Sequence, residues 1–257
     1  MSAGLLGGLL GIGGGSIVVP GLVFFLRFDQ HKAHGTSLAV VLAMSAASVT
    51  AYSRGGHIDW LLAAEMAFGG VFGAFAGARV VAALNGPMLR WIFALFLLVV
   101  GVRMIAAGLL EPNGAAQAQH ALSGLSIQAH VLIAVATGVL TGFLSSLLGI
   151  GGGMVMVPAM VLLLGVDQHT AQGVSLAAIM PTALTGMFLH HNMGNVEPRV
   201  AKWVGAGAIG GGIAGAGTAA LLPGRTLKLV FGVFLVVMSV LMALKKHGSR
   251  VQDSEIS

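Results

Sequence analysis

The sequence predicts an all-α integral membrane protein made of two homologous helical repeats, each with a glycine-broken helix and three further helices. Three observations predict it: very little charge, long apolar runs, and a glycine motif that occurs twice. The chain has 257 residues, of which 56% are hydrophobic and 8% charged, with a mean hydropathy of +0.94. Soluble domains carry about 25% charged residues, so these few charges cannot cover a surface that faces water. Trp91–Val102 and Val230–Leu244 are almost free of polar groups. With their flanks they approach the roughly 20 residues that cross a bilayer core. Only helices and closed barrels satisfy their backbone in lipid. A barrel would alternate apolar and polar residues over segments of about 10, whereas these runs are continuous and rich in Leu, Ala and Gly.

The absence of cysteine removes disulfides and thiolate metal ligands, and no metal or cofactor is expected. The net charge of +5 does not point to nucleic acid, because the basic residues stand singly between apolar runs, as in membrane loops. The N-terminus has neither the basic n-region nor the cleavage site of a signal peptide. A multi-pass protein of the cell (cytoplasmic) membrane is expected, with the lipid bilayer as its partner and its oligomeric state open.

The repeat is explicit. Leu10–Gly15 reads LGIGGG and Leu148–Gly153 reads the same, an offset of 138 residues. Over Leu10–Ala39, roughly 18 of 30 positions match at that offset, among them Pro20 with Pro158 and Asp29-Gln30-His31 with Asp167-Gln168-His169. Repeat one spans 1–110 and repeat two 128–246, with a polar linker at 111–127 and a polar tail at 247–257. In repeat two the pattern predicts helices over Ala129–Leu148, Met154–Leu164, Ala171–His191, Pro198–Leu222 and Leu227–Leu244. In repeat one it predicts Val18–Leu26, Ala33–Ser53, Trp60–Leu84 and Met88–Leu110. Only Ala3–Leu10, about 12 Å of helix, precedes the first break, so either a natural start upstream of Met1 or a fragment of a longer chain is expected.

Duplicated membrane units often place a substrate where the copies meet. The best-matched segments here are poor helix formers. Four glycines in five positions, Gly11, Gly13, Gly14 and Gly15 and again Gly149, Gly151, Gly152 and Gly153, end a helix at membrane depth. Such backbone is tolerated there only inside protein or beside a wet cavity. The next helix starts just beyond, with Ser16 as a candidate cap and Pro20 and Pro158 expected near its first turn. Free N–H groups at a helix N-terminus attract an anion, so the paired breaks are the candidate substrate site. The later glycine runs, Gly69–Gly77 and Gly205–Gly217, read as close helix packing.

Asp29, Gln30 and His31, with Asp167, Gln168 and His169, admit two readings. One is a gate or proton-linked group, since His titrates near neutral pH. The other, which the residues favour, is a capped turn. Ser37 and Ser175, each in a Gly-x-Ser segment, bind either an anion or a backbone carbonyl. His190 and His191 do not share a helix face, which argues against a metal site. Arg79 and Arg103 lie near helix ends and are expected to snorkel. An intramembrane hydrolase is the competing enzyme class, but no G-x-S-x-G or H-E-x-x-H motif occurs.

The doubled LLGIGGG-x4-P, each copy followed by a G-x-S-L-A helix, resembles the sulfite exporter TauE/SafE family. The resemblance covers nearly the whole chain. It implies a permease for sulfite, a sulfonate or a related small organosulfur anion, with Gly11, Gly13, Gly14, Gly15, Pro20, Gly149, Gly151, Gly152 and Pro158 as the motif positions that carry over. The residues themselves reach a small-anion carrier, with coupling to protons open, and do not reach sulfur. A carboxylate carrier and a non-transporting membrane scaffold are the alternatives. Charge adds a topology. If each break turns the chain back as a helical hairpin, Arg27, Lys32, Arg79, Arg90, Arg199, Lys202 and the three basic tail residues share one face, and the positive-inside rule makes that face cytoplasmic. Each repeat then crosses an odd number of times, so the repeats are inverted.

Overall fold

The computed structural model describes residues 1–81, 86–110, 127–148 and 152–244; the linker core, the tail, Gly149 and Gly151 fall outside them. Among the described residues there are ten helices. Repeat one contributes α1 (Ser2–Leu10), α2 (Gly15–Leu26), α3 (Gln30–Arg54), α4 (Trp60–Val81) and α5 (Gly86–Leu110). Repeat two contributes α6 (Ile127–Leu148), α7 (Gly153–Leu163), α8 (Gln168–Asn192), α9 (Pro198–Leu221) and α10 (Gly224–Leu244). Helices α3, α4, α5, α8, α9 and α10 hold apolar stretches long enough to cross a membrane, while α2 and α7 are shorter. Large apolar side chains point outward along them, with Phe25 87% and Trp203 75% exposed. That is the surface lipid accepts and water does not.

Two helices begin three residues before the predicted starts at Ala33 and Ala171, and capping is the reason. The Asp29 carboxylate accepts from the Lys32 N–H at 3.0 Å. Asp167 accepts from the His169 and Thr170 N–H groups, both at 3.1 Å. Each aspartate therefore starts its helix at the very next residue. Asp59 does the same for α4, accepting from Leu62 N–H at 3.0 Å.

The two repeats interleave. The first helix of each lies along the fourth helix of the other: α1 on α9 and α6 on α4. Gly4 meets Ala208 and Gly8 meets Gly212, while Gly138 meets Met66 and Gly142 meets Gly70; both pairs are parallel. A Cβ at Gly69, Gly73, Gly211 or Gly215 would run into the partner's backbone, so the later glycine runs are packing surfaces. Among the described residues all three apolar clusters draw on both repeats: Leu10 and Phe93 share one with Met154 and Phe231, Leu22 and Met44 share another with Leu176 and Ala216, and Val41 shares the third with Ile179 and Ala183.

Equivalent helices run antiparallel where they touch. Gly35, near the start of α3, faces His190 and Asn195 at the end of α8, and Gly173, near the start of α8, faces His57 beyond the end of α3. Likewise Gly108 of α5 faces Leu229 of α10, and the Ser239 hydroxyl of α10 donates to the Ala94 carbonyl of α5 at 2.6 Å. An approximate two-fold axis that turns a membrane helix onto an antiparallel copy lies in the membrane plane, so the repeats are inverted. The break is a hairpin as well. Thr36 accepts from the Glu197 N–H at 3.0 Å and Ser48 abuts Gly212, so α3 runs parallel to α9 and hence to α1. Helix α2, between them, runs back.

Candidate anion site at the glycine breaks

Helix α1 ends at Gly11 (φ 71°) with its N–H bonded to the Gly7 carbonyl, and α2 starts after Gly14 (φ 70°). Gly13 between them has φ 74°. Three left-handed residues within four positions reverse the chain in a few ångströms, and a side chain at any of them is strained. The Ile17 and Val18 N–H groups bond back to the Gly14 carbonyl, at 3.0 and 2.9 Å. Among the described residues the N–H groups of Gly13, Gly14, Gly15 and Ser16 have no acceptor, as the first turn of a helix dictates. In the second break, Val155 and Met156 bond back to the Gly152 carbonyl, at 3.2 and 2.9 Å, which leaves the Gly153 and Met154 N–H groups in the same condition.

The two breaks touch. A Cβ at Gly153 would lie 2.5 Å from the Ile12 Cα and 2.7 Å from the Gly11 carbonyl oxygen. The N-termini of α2 and α7 thus converge in the protein interior, and both bring the positive end of a helix dipole. Beside them is a cavity of about 450 Å³ lined by Gly152, Thr182, His34 and His190, among others. A smaller one of about 130 Å³, lined by Gly15, Ser37 and Val41, adjoins it through the shared walls His34, Gly152 and Thr182. Among the described residues, no Lys or Arg lines either. The His34 and His190 rings stand edge to face, 5.5 Å apart.

Several expected roles are corrected. Ser16 does not cap α2: Gly14 is the N-cap with no side-chain bond, and the buried Ser16 hydroxyl has no partner. Pro20 and Pro158 lie inside α2 and α7, each the sixth residue of its helix. Each therefore frees the carbonyl four residues before it, that of Ser16 or Met154, by having no N–H. Gly152 has φ −57°, so no left-handed backbone holds it; Gly149 and Gly151 are outside the described residues. Ser37 donates to the His34 carbonyl at 2.8 Å, which turns its oxygen toward the smaller cavity as an acceptor, whereas the buried Ser175 hydroxyl has no partner.

The two Asp-Gln-His segments act as capped turns. Gln30 and His31 are exposed at the start of α3. Gln168 is 1% exposed with both amide atoms unpartnered. His169 places Nε2 3.0 Å from the Leu222 carbonyl and 3.2 Å from that of Ala219, capping the end of α9, and its ring stacks on His57. Arg103 is exposed; the Arg79 side chain is outside the described residues. Sequence reasoning did not single out His34, Thr182 or Tyr52 as site residues. The available signal was the offset itself, which pairs His34 with Gln172 and Tyr52 with His190.

A model of the family described as "Sulfite exporter TauE/SafE" matches residues 1–137 and again 133–256. The chain is 31% identical to a probable membrane transporter protein of Xylella fastidiosa (strain 9a5c), over 97% of this chain and 95% of that one. It is 30% identical to the probable membrane transporter protein YunE of Bacillus subtilis, over 92% of each. It is 31% identical to the probable membrane transporter protein MJ0441 of Methanocaldococcus jannaschii, over 72% of this chain and 67% of that one. No solved structure gives a significant match.

Proposed function

Because the chain belongs to the sulfite exporter TauE/SafE family of membrane transporters, we propose that it carries sulfite, a sulfonate or a related small organosulfur anion and binds it between the two glycine breaks. The observation that carries this reading is the convergence of two helix N-termini, with Gly153 packed on Gly11 and Ile12, beside cavities that have no Lys or Arg among their described lining residues. A dehydrated anion in an apolar interior needs compensation. Unbonded N–H groups and two helix dipoles supply it without a fixed positive charge. Attraction spread over neutral donors also lets the anion leave, as transport requires. His34 and His190 at the cavity wall titrate near neutral pH in their unperturbed state and are the candidates for coupling to protons.

Purified protein in proteoliposomes, offered sulfite, sulfoacetate, sulfate and succinate, tests the substrate class. Sulfite or sulfoacetate should move fastest; transport of succinate alone would replace the organosulfur reading with a carboxylate one. Gly14→Val forces a β-branched residue into a left-handed backbone and fills space 3.1 Å from the Ala3 carbonyl. It should cut transport by about a hundredfold or more while the protein still inserts. Gly207→Ala meets only Met1, at 3.5 Å and beyond, and should keep most activity. A folded Gly14→Val protein that transports normally sinks the proposed site.

A further inference from the structure

We propose that the seam where α3 packs against α8 and α9, on the far side of the breaks, is the closed half of the translocation path: a second anion vestibule lined by Ser45, Ser48, Gln168, Gln172 and Ser175 and latched by Tyr52. This rests on the transport reading above and adds a site to it. All five lining side chains are at most 1% exposed, and each has a polar atom without a partner. Buried polar groups are normally bonded, and five unbonded along one seam are unusual in a membrane interior, where an unsatisfied group is costly.

Their spacing explains the grouping. Val41, Ser45, Ser48 and Tyr52 recur on one face of α3 at helical intervals, and Gln168, Gln172, Ser175 and Ile179 recur on one face of α8. The two faces meet at both ends. Val41 and Ile179 both border Gly13, and the Tyr52 hydroxyl lies 3.0 Å from Gln172 Oε1. The same hydroxyl lies 3.0 Å from the Gly8 carbonyl, so it ties α3 to α8 and to the last turn before the first break. One phenolic proton serves both contacts. With the Gln172 amide turned over, Nε2 donates to the phenol while the phenol donates to Gly8, and Nε2 gains the partner it lacks.

The two-fold relation says what this seam is. At the offset of 138 residues, Gln172 corresponds to His34, Ser175 to Ser37, Tyr52 to His190 and Ser48 to Gly186. His34, Gly186 and His190 line the larger cavity and Ser37 the smaller. The sealed seam is therefore the image of the open one across the breaks. One image borders the larger cavity, with its two rings in edge-to-face contact; the other is shut by a hydrogen bond. An inverted repeat whose halves exchange conformations opens one side as it closes the other. The seam's neutral amide and hydroxyl donors suit a small oxyanion, as the breaks do.

The chain has no cysteine, so single-cysteine labelling has no background. Membrane-impermeant maleimide should leave Ser175→Cys unreacted from both sides while Ser53→Cys, at the exposed end of α3, reacts fully. Adding Tyr52→Phe should raise the Ser175→Cys rate about tenfold, the shift expected from losing the latch hydrogen bonds, and only from the Ser53 side. Thr182→Cys, in the open cavity, should slow from the other side. Gln172→Met should release the latch from its other partner with the same result. Sulfoacetate should slow labelling of Ser175→Cys in the released protein. The proposal is overturned if neither release variant exposes Ser175→Cys, if exposure comes from the His34 side, or if sulfoacetate gives no protection to a protein that transports it. A chain that transports none of the panel while the latch behaves as described would remove the substrate reading alone.

Discussion

In the proposed site, Gly11, Gly13 and Gly14 act through backbone rather than side chain. Their left-handed dihedrals break the helix and leave the Gly13, Gly14, Gly15 and Ser16 N–H groups without acceptors among the described residues. This was legible in the sequence, because a glycine cluster repeated at a fixed offset is a poor way to build a helix. The finer assignments were not legible. Ser16 has the identity of a cap, but a left-handed Gly14 already occupies that position, and residue type cannot reveal a dihedral. At Asp29 sequence and structure agree. Its carboxyl is held below the ordinary carboxylate range, chiefly by the Lys32 backbone N–H. A lowered folded pKa means that the cap's contribution is complete above the ordinary range and is lost as pH falls through the folded value. Amide exchange at Lys32, corrected for its intrinsic rate, should therefore accelerate on acidification through that range. Asn caps without a charge, so Asp29→Asn should remove this acceleration. An identical acid response in both proteins would mean that the cap does not control this helix end.

At the scale of helices, the apolar runs fixed the existence of each span, and the aspartates shifted two starts by three residues. What no run could specify was which helix each glycine face would meet. A small-residue stripe announces a close neighbour but not its identity, and α1 turns out to lie on α9 of the other repeat rather than only within its own. Adjacent positions on α9 separate the two uses of glycine. A Cβ at Gly211 would enter the backbone of α1 at Met1, whereas at Gly210 it would meet nothing within 4 Å. Gly211→Ala should destabilise by about 1–3 kcal/mol, the usual cost of overpacking. Gly210→Ala should stabilise by up to about 1 kcal/mol through helix propensity. Thermal unfolding in detergent, followed by size-exclusion recovery, should order the three proteins Gly210→Ala, parent, Gly211→Ala. Equal losses from both substitutions would mean that α1 does not pack on this face.

For the whole molecule, inversion decides how the two halves of the path are related, and it gives the charge count a geometry. Helices α3, α5 and α9 all start at the membrane face where α4, α8 and α10 end. Arg27, Lys32, Arg199 and Lys202 lie toward that face, Arg79 and Arg90 stand near the end of α4 and the start of α5 there, and Lys245, Lys246 and Arg250 come after α10 in the sequence, nine of the 13 basic residues. The positive-inside rule predicts that this face is cytoplasmic, with the open cavity of His34 and His190 toward the cell interior and the Tyr52 latch outward. Ser53 and His191 are equivalent positions at the offset of 138 residues, and both are exposed. In parallel repeats they would lie on one side; here they lie on opposite sides. Impermeant maleimide should label Ser53→Cys in intact cells, and His191→Cys only in inverted vesicles or after permeabilisation. Labelling of both in intact cells would contradict the inversion itself. The reverse pattern, with His191 outside and Ser53 inside, would keep the inversion but turn the molecule over, so that the open cavity loads from outside and the protein works first as an importer.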